Sequence, residues 1–197
     1  MYRALSRNIR SCHDFHTDSR LTFSPARRTI ETPMLVYLCG AIEYSPDHGK
    51  AWRAEITPFL NAIGHEVYDP ALDEEKNLTS EEMRNFRAWK TADLPRFQQT
   101  IRKIIRYDLD WVERRAQYII AYWDQHAGRG AGTQGELTVA HRRGVPIYLV
   151  TTMPVEQVSG WVLGCASEVF TSFEQLKSYL TEKYAPRRKA VSASMAL

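Results

Sequence analysis

Three residues in this chain have the type and the neighbours to carry chemistry. Glu136 closes a glycine-rich run, GRGAGTQGE, that lies between an apolar segment and a helical one. Asp108, in RYDLD, precedes the strand-like YIIAYWD, whose final Asp124 stands beside that run. Tyr37 belongs to YLCGAIE, where Gly40 lets the backbone come close to a flat ligand. A carboxylate nucleophile with a second carboxyl group at hand is the equipment for breaking a glycosidic bond: the first traps the oxocarbenium-like sugar and the second handles protons. A buried tyrosine hydroxyl must find a partner, and orienting a carboxylate is one such use. Each residue also has an ordinary role open to it. A first-turn glutamate complements the helix dipole for about 0.3–1 kcal/mol, Asp108 has arginines nearby to pair with, and a strand tyrosine is commonly core. Spacing alone does not bring the three together.

The run before Glu136 is itself suited to a ligand. Gly128, Gly130 and Gly132 permit a tight turn and close approach, and a helix starting near Thr133 aims its free N–H groups at a phosphate or a ribose. No Gly-Lys-Ser/Thr follows, so it is not a P-loop, and the GxGxxG context at a first strand is incomplete.

The elements that must position these residues alternate along the chain. MLVYLCGAI (34–42) is a strand, 49–63 carries Trp52, Ile56, Phe59, Leu60 and Ile63 at helical spacing, and HEVYDP (65–70) is a second strand: a βαβ unit. Thr79-x-x-Glu82 is a capping box that opens a short helix, and a longer one from Pro95 carries Phe97, Ile101, Ile104, Ile105, Leu109 and Val112. Strands at 118–123, 145–152 and 168–170 follow, interleaved with helices over GELTVAHRRG and SFEQLKSYLTEKY. The expected fold is a single-domain α/β sandwich with a parallel, Rossmann- or flavodoxin-like five-stranded sheet flanked by helices. Ligands of such sheets sit at the carboxyl ends of the strands, after Cys39, Asp69, Trp123 and Val150 here. Trp52 has core and ligand-side roles open to it, and Arg53 is a surface charge or the partner of an acidic residue in the site.

Composition narrows the setting. The 197 residues hold 26 Lys+Arg against 23 Asp+Glu and 44% hydrophobic residues, an ordinary globular profile. The net charge of +3 is unevenly spread: each flank, 1–33 and 184–197, carries +3, leaving the body at −3, which argues against nucleic-acid binding. No apolar run reaches the roughly 18 residues of a membrane-spanning helix. Cys12, Cys39 and Cys165 are odd in number and scattered, so no disulfide framework or metal site is expected, and a reducing cytoplasm suits them. Residues 1–33 are expected to be a disordered arm or the product of an upstream start, with Met34 the working start. Residues 34–183 form the expected domain and 184–197 a basic disordered tail.

Taken in order, YLCGAI, AWRAEI with GHEVYDP, DLDWVERRAQYIIAYWD, GTQGELTVAHRRGVPIYLV and GWVLGCASEVFTSFEQLKSYL resemble the nucleoside 2-deoxyribosyltransferase-like family over about residues 34–182, leaving out the segment near 73–100. The resemblance implies Glu136 as nucleophile on the anomeric carbon of a 2′-deoxynucleoside, Asp108 as the group that contacts and protonates the leaving base, and Tyr37 as the residue that positions the nucleophile. It further implies substrate contacts from Gly40, Ala41 and Ile42, from Trp52 and Asp69, and from Gly132 and Thr133. The further Asp that some transferases carry shortly before the nucleophile is Gly130 here, which leaves base recognition either to Asp124 or to a different arrangement. Nucleotide-cleaving relatives hold a 5′-phosphate after the first strand, where this chain has Glu43; an unphosphorylated nucleoside or nucleobase is therefore the expected partner. The resemblance also implies a homo-oligomer; no metal or organic cofactor is expected, since the sequence holds no ligand cluster and glycosyl transfer through a carboxylate needs neither, and no membrane or nucleic-acid partner is expected from the composition. Two alternatives stay open: a nucleoside 5′-monophosphate N-glycosidase or phosphoribohydrolase, whose PGGxGTxxE signature shares Gly130, Gly132, Thr133 and Glu136, and a non-catalytic nucleoside- or nucleotide-sensing module on the same fold.

Overall fold

Strands form where β-branched and aromatic residues run together, and here they do so with a strict alternation of destinations. In a computed structural model, which describes residues 33–73 and 75–184, β1 (Leu35–Gly40) sends Val36 and Leu38 to one face of the sheet and Tyr37 and Cys39 to the other. β3 (Tyr118–Trp123) does the same, with Tyr118 and Ile120 on the first face and Ile119, Ala121 and Trp123 on the second. With β2 (Glu66–Tyr68), β4 (Ile147–Thr151) and β5 (Glu168–Phe170) they build a five-stranded, wholly parallel sheet of order β2-β1-β3-β4-β5. The expected architecture is the observed one, and residues 33–184 lie in one compact unit. The expected flanks fall almost wholly outside the described residues, as does Cys12.

Helices cover both faces. α1 (Lys50–Ala62) places Trp52, Ile56 and Leu60 one turn apart against Val36, Leu38 and Ile120, and α6 (Phe173–Tyr184) adds Leu176 and Leu180 to that core. On the other face α4 (Gly132–Arg143) buries Leu137 and Ala140 against Ile119, Ala121 and Leu149. A short helix that the sequence pattern missed, α5 (Gly160–Cys165), buries Val162 and Cys165 there and leaves Trp161 65% exposed.

The segment between β2 and β3 is a helical hairpin. Thr79 and Glu82 form the expected capping box at the start of α2 (Ser80–Ala92), the Thr79 hydroxyl accepting from the Glu82 N–H at 3.2 Å and the Glu82 carboxylate from the Thr79 N–H at 2.8 Å. Asp93 then caps α3 (Leu94–Asp110), whose last turn widens into a π-helical turn over Trp111–Arg115. Among the described residues no helix is long and apolar enough to cross a membrane.

Strand order reverses between β1 and β3: the chain leaves β1 for β2 on one side and returns to β3 on the other. The loops after these two strands must diverge, and a crevice opens between them at their carboxyl ends.

Candidate active site

That crevice is a cavity of about 690 Å³. Its floor is the loop after β1 (Gly40, Ala41, Ile42) and the start of α4 (Gly132, Thr133, Glu136); its far wall is the α2–α3 hairpin. Gly40 is needed at the floor, since a Cβ there would lie 3.0 Å from the Trp52 ring and 3.1 Å from the Tyr122 carbonyl oxygen. The Gly128–Gly132 run behaves otherwise than expected. None of its glycines has a positive φ; Gly130 is extended at −116°, and around Gly132 the space is simply open.

Glu136 lies one residue beyond the first turn of α4, on the face packed against the sheet, so the dipole role open to it in the sequence does not describe it. Both of its oxygens are held from β1. The Tyr37 hydroxyl donates to Oε1 at 2.9 Å and the Cys39 thiol to Oε2 at 2.8 Å. These donors are two residues apart on one strand, and the period of two puts both beneath α4. Burial, and then the charge of Asp108, push the Glu136 carboxyl up to about 7, against the opposing pull of the two hydrogen bonds. Burial and the nearby Glu136 also raise the Tyr37 hydroxyl and the Cys39 thiol well above their ordinary values, so both stay protonated and donate.

Asp108 reaches the same cavity from the last turn of α3 and is held quite differently. Lys76, on the loop between β2 and α2, places its Nζ 2.8 and 2.9 Å from the two Asp108 oxygens, with both side chains nearly closed to solvent. Burial raises the Asp108 carboxyl while the Lys76 charge lowers it. The loop is fastened by Asp73, which accepts from the Tyr68 hydroxyl at 2.9 Å and the Tyr107 hydroxyl at 2.8 Å. Burial works against the Asp73 charge, yet these hydrogen bonds bring its carboxyl below the usual range.

Of the residues singled out in the sequence, Glu136, Asp108, Gly40, Ala41, Ile42, Gly132 and Thr133 line the cavity, and Tyr37 stands directly behind Glu136. Three others do not reach it. Trp52 is beneath the floor, stacked on Phe173 at 5.9 Å, because its helix faces the opposite core. Asp69 accepts from the Ala71 N–H at 2.8 Å and pairs with the fully buried Arg53 at 3.2 Å, beside a separate hollow. Arg53 is thus neither a surface charge nor the partner of an acid in the site: it is buried, pairs with Asp69 outside the cavity, and donates to the Gly40 and Gly49 carbonyls. Asp124 is spent on its own loop, accepting from the His126 and Ala127 N–H groups at 2.9 Å each.

Two parts of the site were not read from the sequence. Cys39 was within reach of the strand period, two residues from Tyr37. Lys76 carried no pattern at all, being a loop lysine in a segment outside the resemblance. The same segment supplies the apolar wall: Met83 and Phe86 from α2, and Phe97, Ile101 and Ile104 along one stripe of α3. Glu43, expected to repel a phosphate, is paired with Lys90 at 2.9 Å, and Lys50, Arg87 and His48 share the mouth with them.

No protein-family model matches the chain, and comparison with curated proteins gives no match either. Among solved structures, a 2-deoxyribosyltransferase from Bacillus psychrosaccharolyticus is similar with a TM-score of 0.48 and 18% identity, over 74% of this chain and 91% of that one. A 2-desoxiribosyltransferase from Leishmania mexicana is similar with a TM-score of 0.47 and 18% identity, over 76% of this chain and 98% of that one. Both are likenesses of chain trace alone.

Proposed function

We propose that this protein cleaves the N-glycosidic bond of 2′-deoxynucleosides with Glu136 as nucleophile and passes the deoxyribosyl group to a second base or to water. The observation that carries this is the treatment of Glu136: a carboxyl group at the carboxyl end of a parallel sheet, opening on a cavity, with two neutral donors and no cation in contact. Neutral donors fix its orientation without tying up its charge, and a proton affinity near neutrality leaves a large fraction ionised at working pH. As the C1′–N bond lengthens, its electron pair moves to the base and positive charge grows on the sugar. Ionised Glu136 stabilises that charge and then bonds to C1′. A proton reaches the departing base from the Lys76–Asp108 end, which recovers one from the incoming base or water. The motifs quoted from the sequence support the same substrate class.

A 5′-monophosphate substrate is the second possibility, favoured by one observation: Lys90 neutralises Glu43, so the mouth no longer opposes a phosphate. A homo-oligomer belongs to the same proposal, with exposed Trp161 on its outer face.

The test is incubation of the purified protein with each 2′-deoxynucleoside and 5′-monophosphate, with and without a second free base, followed by chromatography beside Glu136→Gln. New nucleoside formed only with the second base identifies a transferase; free base and sugar in every case, a hydrolase. The variant is expected to lose on the order of 10⁴-fold in kcat. Ligand binding without turnover by the unaltered protein would leave a sensing module.

A further inference from the structure

Lys76 is an unusual lysine. Its backbone sits in the left-handed region at φ 35°, followed by Asn77 at 61°, a conformation that costs energy for a residue with a Cβ. Asp73 holds the turn, with one oxygen against the Lys76 N–H at 3.4 Å and the other gripped by two tyrosines. The result is an ammonium group carried away from water into the cavity and set against both oxygens of Asp108. Burying such a pair contributes little to stability, since desolvation offsets the attraction. A strained, braced loop that delivers a charge into a cavity wall calls for a use there.

Facing Asp108 are Lys76 and Asp73 from the loop, Glu136 from α4, and the Tyr37 and Tyr68 hydroxyls from β1 and β2. Lys76 is the one cation among them. Two of its three N–H groups are engaged by Asp108, and the third is left for another acceptor.

We propose that Lys76 is the proton donor to the departing base, and that Asp108 stays a carboxylate that holds the ammonium and the base in register. This rests on the glycosidic cleavage proposed above and moves the acid role that the sequence placed on Asp108. In balance, the C1′–N bond breaks as the bond from C1′ to a Glu136 oxygen forms. The electron pair on the base nitrogen system takes a proton from the Lys76 ammonium, leaving a neutral amine against the Asp108 carboxylate. The N–H of an incoming base, or water, returns the proton when the sugar leaves Glu136.

The test compares 2′-deoxyguanosine with N7-methyl-2′-deoxyguanosine, whose base is already cationic and departs neutral without a proton. Lys76→Met and Lys76→Arg are assayed on both; arginine keeps the charge beside Asp108 but does not release a proton near neutral pH. Each variant is expected to lose about 10²–10⁴-fold in kcat on the unmethylated substrate and to stay within a few-fold of the parent on the methylated one. Equal losses on both substrates would make Lys76 a structural or positioning residue and overturn the proposal. So would full activity of Lys76→Arg on 2′-deoxyguanosine, or of Lys76→Met, which would return the acid role to Asp108. If Lys76→Met does not fold, Lys76→Arg alone decides. Failure of the unaltered protein on both substrates would instead sink the glycosidic proposal itself.

Discussion

Two carboxyl groups face one cavity, and the chain handles them in opposite ways. Glu136 stands on a regular helix against β1, held by an O–H and an S–H. Asp108 stands at the end of a helix in the hairpin wall, held by an ammonium group on a strained loop. Neutral donors orient a carboxylate and leave its charge to respond to what enters; a cation in contact fixes it. Burial raises both groups and the Lys76 charge lowers both, yet only Asp108 has the ammonium in contact. The difference sets the two groups apart more firmly than two adjacent carboxylates could manage by mutual repulsion, which is what the proposed split between a nucleophile and a proton-handling end requires.

The largest effect that could break this contrast is at Glu136 itself. Besides losing turnover, Glu136→Gln should gain stability at alkaline pH. The group's proton affinity rises on folding to about 7 from a reference of 4.5, so the folded chain keeps a proton that the unfolded chain releases as pH climbs through that window. Folding therefore loses up to about 3 kcal/mol between those values, a loss the glutamine lacks. Urea denaturation at pH 5 and pH 8 measures it, and an unchanged pH dependence in the variant would contradict the raised affinity.

Next come the two donors. Tyr37→Phe removes a hydrogen bond that favours the charged form, so the acidic limb of the kcat/KM profile should move upward, with about a tenfold loss at neutral pH for a bond worth about 1.5–3 kcal/mol. Cys39→Ser replaces a weak donor with a stronger one and should move the same limb downward. Shifts in the same direction would show that Cys39 packs against Glu136 without donating to it. The smallest effect is at the mouth: Lys90→Ala frees Glu43 and should leave the melting temperature unchanged, while KM rises several-fold for a 5′-monophosphate and stays constant for the nucleoside. Equal KM changes would remove the case for phosphate.

The sheet and the Glu136 end were legible because they rest on periodic signals. The alternation in YLCGAI and YIIAYW set the strands, and helical spacing in 49–63 set α1. The Thr79–Glu82 capping box marked α2 to within a residue of its first turn. Trp52 and Asp69 are implied by the resemblance, and Asp124 by its place at a strand end beside the glycine-rich run, yet none of the three reaches the cavity. A strand end has two faces, and a short acidic side chain in a tight loop satisfies the nearest backbone N–H groups first, as Asp124 does with His126 and Ala127. Lys76 lay beyond reach for a further reason. Its place depends on two tyrosines, Tyr68 and Tyr107, from elements 39 residues apart, meeting at Asp73.

The hairpin that forms the far wall also carries a kinetic consequence. Its helices, of 13 and 17 residues, bury only Trp89, Thr100 and Asp108, and the pairs Lys103–Glu82 and Arg96–Glu81 that tie it together are partly or wholly open to solvent. So little buried apolar contact makes the wall the part that opens at least cost, and its amide hydrogens should exchange with solvent well before those of β1, β3 and β4. Asp108 travels with it. Each such opening parts Asp108 from Glu136, so the two carboxyl groups share one cavity only while the hairpin is docked.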